Sequence, residues 1–181
     1  MMMRRVMIAA FAAAALVACG RNTQTPQSGE TPEAPPVIAC NDVAIDPARA
    51  VSPTGMAAIA EIEIALLGGA VTPGTYDLVR AEPRDGAVSW PETRWQSVRV
   101  ADSENGQVLD FALVRAAAGN EPERFTALLD DAGEQTTLTY TCGRTGHTRA
   151  RFVAPGNELH LLLPAEGGAG QTFHVFVRRA G

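Results

Sequence analysis

The chain has no lysine; its 15 basic residues are all arginine. That absence excludes a Schiff-base lysine, a Walker-type phosphate loop and a Ser-Lys catalytic pair. There is no Cys-x-x-Cys spacing, which argues against a zinc or redox motif. None of the five serines (Ser28, Ser52, Ser89, Ser97, Ser103) sits in Gly-x-Ser-x-Gly, and no His-Glu-x-x-His occurs. An Asp-x-Asp-x-Asp-Gly calcium loop is missing too. The apolar run at residues 6–15 falls short of the roughly 20 residues that span a bilayer as a helix. Helix-length repeats and βαβ alternation are also lacking. What remains is an address at the N-terminus and a series of short alternating segments after it.

The address is the stretch around Leu16-Val17-Ala18-Cys19. Arg4 and Arg5 give a positive start, residues 6–15 an Ala-rich apolar run, and small residues a cleavage point, the pattern of an export signal. Leu16-Val17-Ala18-Cys19 resembles the lipobox of bacterial lipoprotein precursors. That resemblance implies that Cys19 is acylated, that residues 1–18 are removed, and that the new N-terminus is acylated in turn. Two or three acyl chains hold a protein stably on a membrane where one does not. By analogy with enterobacterial lipoproteins, where Asp at this position retains the protein in the inner membrane, Gly20 permits the outer membrane.

Residues 21–36 are rich in Pro, Thr, Gln and Glu, with Ala34 the only apolar residue apart from proline, so residues 19–36 read as a lipidated cysteine and a flexible tether. Residues 37–181 are then one domain, long enough for a core. After removal of the signal, 13 arginines face 20 acidic residues. An acidic balance argues against nucleic acid as a partner and against a grip on anionic headgroups. With Cys19 lipidated, Cys40 and Cys142 remain. In an oxidising envelope compartment an even pair suggests a disulfide, with two free buried thiols as the alternative.

Most of the domain alternates with period two. Tyr76 and Leu78 share one side of residues 75–81; Val98 and Val100 share a side of 96–101. Leu109, Phe111 and Leu113 line one face of 108–115, and Leu138, Tyr140 and Cys142 one face of 136–142. Phe152 is set against Arg151. Leu159, Leu161 and Leu163 alternate with Glu158 and His160. Phe173, Val175 and Val177 alternate with Thr172, His174 and Arg178. Turn residues separate these runs: Pro73-Gly74, Asp85-Gly86, Asn105-Gly106, Ala132-Gly133, Pro155-Gly156-Asn157 and Gly167-Gly168. The pattern predicts an all-β antiparallel fold, a meander barrel or a two-sheet sandwich. Residues 54–68 admit two readings. Glu61-Ile62-Glu63-Ile64 favours a strand, while Thr54 as a cap and Gly68-Gly69 as a stop favour a short helix. Longer loops are expected within residues 92–122.

Gly68-Gly69-Ala70-Val71-Thr72-Pro73-Gly74-Thr75-Tyr76-Asp77-Leu78 resembles the Gly-Gly-x-aliphatic-x-x-Gly-Thr-Tyr-x-Leu entry of small envelope lipoproteins with lipocalin-like barrels. Residues 154–161, followed by 172–178, resemble their closing hairpin. The resemblance implies an antiparallel barrel with an apolar interior and carries over no catalytic residue. The Gly-x-Trp of true lipocalins is replaced here by Tyr76.

His160 and His174 form the one chemical pair that the pattern can build. If Leu163 faces Gln171, His160 faces His174 on the outer surface, within reach of a shared Zn or Cu ion. The alternative is two solvated histidines; His147 is a remote third. Trp90 and Trp95 read as buried anchors of their loop. Glu61 with Glu63, and Asp130-Asp131, read as solvated charges. The leading expectation is a non-enzymatic, lipid-anchored barrel without a cofactor. It would bind a small apolar ligand or an envelope protein, with loops 81–95 and 143–149 making the contacts. A metal-handling lipoprotein and an envelope hydrolase are the alternatives.

Overall fold

The structure is a computed structural model that describes residues 39–52, 65–131 and 136–180. The signal, Cys19, the tether, residues 54–64 of the ambiguous run at 54–68 and the Ala132-Gly133 turn lie outside the described residues. Eight strands run in chain order: β1 (Gly74–Arg84), β2 (Arg94–Ser103), β3 (Gly106–Arg115), β4 (Glu123–Asp131), β5 (Thr136–Cys142), β6 (His147–Val153), β7 (Glu158–Pro164) and β8 (Gln171–Arg178). Each pairs antiparallel with the next, and β8 returns to β1, closing a lipocalin-like meander barrel. Closure removes the edges that would otherwise template aggregation.

The inward positions are those that the alternation marks on most strands. Tyr76, Leu78, Val98, Val100, Leu109, Phe111, Leu138, Phe152, Leu159 and Leu161 join one core with Phe125, Ala127, Leu129 and Phe176. Strand β4 lies where the sequence reading placed no strand. Its inward face is Phe125-Ala127-Leu129, and the small Ala127 in the middle weakens the apolar signal.

Strand β8 corrects the expected parity. Leu78 faces Phe176 and Ala81 faces His174, so His174 shares the inner face with Phe176. Phe173 and Val175 lie on the outside, packed with Leu162, Leu66 and Val79. Both faces of β8 carry large apolar side chains, so its own alternation does not say which is inside.

One end of the barrel is filled by residues 68–73. The Gly68 amide donates to the Phe152 carbonyl, and Val71 exchanges two hydrogen bonds with the Gln107 side chain. The Tyr76 hydroxyl donates to the Thr72 carbonyl at 2.6 Å. Val71 thereby joins the core from below. Residues 39–52 form a strap outside the barrel. Asn41 donates to the Phe111 and Phe125 carbonyls, and Val51 pairs with Arg94. Under the strap lies a polar layer in which Arg99 bonds Asp110 and Asp42, and Arg179 bonds Asp77.

Cys40 and Cys142 are joined by a disulfide, with Cα atoms 5.6 Å apart. A bulge in β5 makes this possible. Ala127 pairs with Tyr140 but Thr126 pairs with Cys142, so Thr141 is an extra residue and Cys142 moves to the outer face with Thr126. Strict alternation would have aimed the sulfur into the core.

Candidate functional site

The opposite end of the barrel is open and holds a cavity of about 220 Å³. It is built where β2, β4, β6 and β8 begin and β3, β5 and β7 end. Phe111, Phe125, Leu138 and Leu163 form its apolar wall. Trp90, on the loop after β1, is buried and folds over the mouth, its ring 5.7 Å from that of His174.

The rim is a chain of alternating charges. Arg94 stacks on Trp90 at 4.3 Å and donates through Nη2 to Glu166 at 2.7 Å. Arg115 bridges Glu166 and Glu123 at 2.8 and 2.7 Å. Arg144 holds Glu123 through Nε at 2.8 Å and through Nη2, and lies 3.8 Å over the Phe125 ring. Desolvation pushes the Glu166 carboxyl up, but Arg94 and then Arg115 outweigh it and hold it below the ordinary value. Glu123 behaves alike, with Arg144 and Arg115 overcoming its burial. Both carboxylates are therefore ionised in the neutral range.

His174 lies at the cavity wall, with Nδ1 3.0 Å from the Thr172 carbonyl. Burial lowers its pKa to about 4, against the opposing pull of the Thr172 and Leu161 carbonyls. The ring is thus neutral, with Nδ1–H the donor.

The structure does not bring the two histidines together. Leu163 faces Thr172 rather than Gln171, so His160 faces Val175 and His174 faces Leu161. A one-residue difference in register reverses a strand's faces. His160 is outside, edge-on to Phe173 and 2.6 Å from Glu158; His174 is inside. His147 is exposed at the start of β6. Among the described residues, no group of three His, Cys, Asp or Glu is placed to hold a metal ion. Trp90 is buried as expected; Trp95 is only partly buried, its indole N–H donating to the Pro47 carbonyl outside the barrel. Asp131 accepts from the Gly69 amide and Thr136, tying the lower segment to β4 and β5. Glu61 and Glu63 lie outside the described residues.

The rim ions were not singled out in the sequence. One signal was present: Arg94 has the parity of Val98 and Val100, which places an arginine on an inward face at the start of a strand. The fold and its mouth define a closed eight-stranded antiparallel barrel, filled at one end and open to a charged, half-apolar cavity at the other. Comparison with protein-family models, curated proteins and solved structures finds no match.

Proposed function

We propose that the chain is an exported lipoprotein, acylated at Cys19 and held on the envelope membrane, the outer one by the analogy of Gly20. In this reading its barrel is a non-enzymatic binding module for a small ligand with an apolar body. The observation that carries the binding role is the cavity at the mouth, walled by Phe111, Phe125 and Leu138 and rimmed by convergent polar groups. Concave, mostly apolar sites with a few placed polar groups are what small-molecule sites look like. The Cys40–Cys142 bond supports an oxidising compartment, as an exported chain would meet. Binding is favoured over hydrolysis because neither serine nor cysteine is among the described residues that line the cavity with His174.

Two measurements test the reading on the full chain expressed in an exporting host. Cys19→Ser should move the protein from the membrane to the soluble fraction; wild-type protein that is already soluble overturns the anchor. Native mass spectrometry of the detergent-released mature protein should show a retained small-molecule mass. A bare mass, with an envelope protein captured by crosslinking at the loops of residues 85–93 and 143–146, would replace the small ligand with a protein partner.

A further inference from the structure

Among the described residues, three arginines grip a single carboxylate with both Nε and Nη2. Arg99 places both atoms on Asp110, Arg144 both on Glu123, and Arg179 both on Asp77. Arg94 does not. Only its Nη2 reaches Glu166, and its Nε is buried with no hydrogen-bond partner among the described residues. A buried charged donor without an acceptor is costly, because it has lost its hydration and gained nothing in return. The side chain of Arg94 is 7% exposed, whereas that of Glu166 is 49% exposed. Arg94 is thus a fixed element of the cavity wall, half-satisfied by a carboxylate from an exposed turn.

That turn is Glu166-Gly167-Gly168-Ala169-Gly170. Gly170 is pressed against the backbone of Arg84, Asp85 and Ala87, which fixes the turn's base. The Gly168 amide donates to the Ala165 carbonyl and the Ala165 amide to the Gly170 carbonyl, which closes the turn's backbone; the half-exposed Glu166 side chain can leave Arg94 by rotating about its own bonds. Arg115 keeps Glu123 if Glu166 leaves. The vacated position would offer Nε and Nη2 of Arg94 together, the geometry of a bidentate carboxylate pair. Behind it lies the half-apolar cavity, smaller than the ~300–1,000 Å³ of drug-sized sites.

Building on the binding role above, we propose that the mouth takes a small monocarboxylate with an aromatic or short aliphatic body. Its carboxylate pairs side-on with Arg94, and Glu166 occupies that position as a tethered competitor. Ligand entry then exchanges one carboxylate for another and leaves the cavity's charge unchanged.

The test uses the full chain and benzoate, with benzamide as the neutral isostere, by isothermal titration and by nuclear magnetic resonance. Benzoate should bind wild-type protein, and benzamide at least roughly tenfold more weakly, the ratio that about 1.4 kcal/mol provides. Glu166→Gln removes the competitor's charge and should tighten benzoate roughly tenfold while leaving benzamide unchanged. Arg94→Gln should abolish the preference for the acid; because that variant risks misfolding, Glu166→Gln decides the matter. Benzoate affinity that is unchanged or weaker in Glu166→Gln overturns the inference, as does equal binding of acid and amide. If a neutral molecule is nevertheless retained in native mass spectra, the binding role stands and only the carboxylate class falls.

Discussion

His174 shows how one side chain reports its surroundings. In the unfolded chain its pKa is near 6.5, whereas burial in the barrel takes it to about 4. The folded pKa is depressed, so His174's contribution to stability is fully present above pH 6.5 and is lost as pH falls towards 4. Over that window the loss is on the order of 3 kcal/mol. Glu123 and Glu166, held low by their arginines, lose their contributions only as pH falls below the ordinary carboxylate value. Urea midpoints should therefore decline between pH 6.5 and 4.5 in the wild type and be much flatter in His174→Leu. An equally steep decline in both would show that the ring is not buried in neutral form. That His174 points inward was not legible from its own strand. Thr172-Phe173-His174-Val175-Phe176 offers an apolar side chain to either face, and pairing with β1 and β7 decides between them.

Strands are the scale at which the sequence speaks most clearly, because period-two alternation follows directly from the pleat. The core side chains of β2, β3 and β7 lie where alternation places them. It fails at small residues and at bulges. Ala127 thins the pattern of β4, a bulge between Leu78 and Arg80 turns Ala81 of β1 inward, and the bulge at Thr141 interrupts β5. The bulge carries a consequence for the disulfide, since Cys142 reaches the outer strap only because Thr141 is inserted. Deleting Thr141 should return Cys142 to the inner face and leave two reactive thiols in the denatured protein, counted by thiol titration. An intact Cys40–Cys142 bond in that variant would mean that the bulge is not what orients the cysteine.

For the whole molecule, the disulfide ties the strap to the barrel across 102 residues of chain. The loop-entropy account assigns such a closure about 4–5 kcal/mol. At roughly 2–4 °C per kcal/mol for a domain of this size, reduction or Cys142→Ser should lower Tm by roughly 8–20 °C. Circular dichroism melts with and without reductant check this, and coincident melts would refute it. The lipobox-like pattern, the acidic balance, the even cysteine pair and the all-β class can be read from the amino-acid sequence alone. These are written in local patterns: a motif, a count, a parity. Strand pairing settles that the sheet closes, which face of β8 is inside, that the histidines part, and that Arg94, Arg115, Arg144, Glu123 and Glu166 meet at one mouth. Register and closure depend on pairing between strands far apart in the chain. A shift of one residue in that pairing exchanges core for surface while leaving every local pattern unchanged.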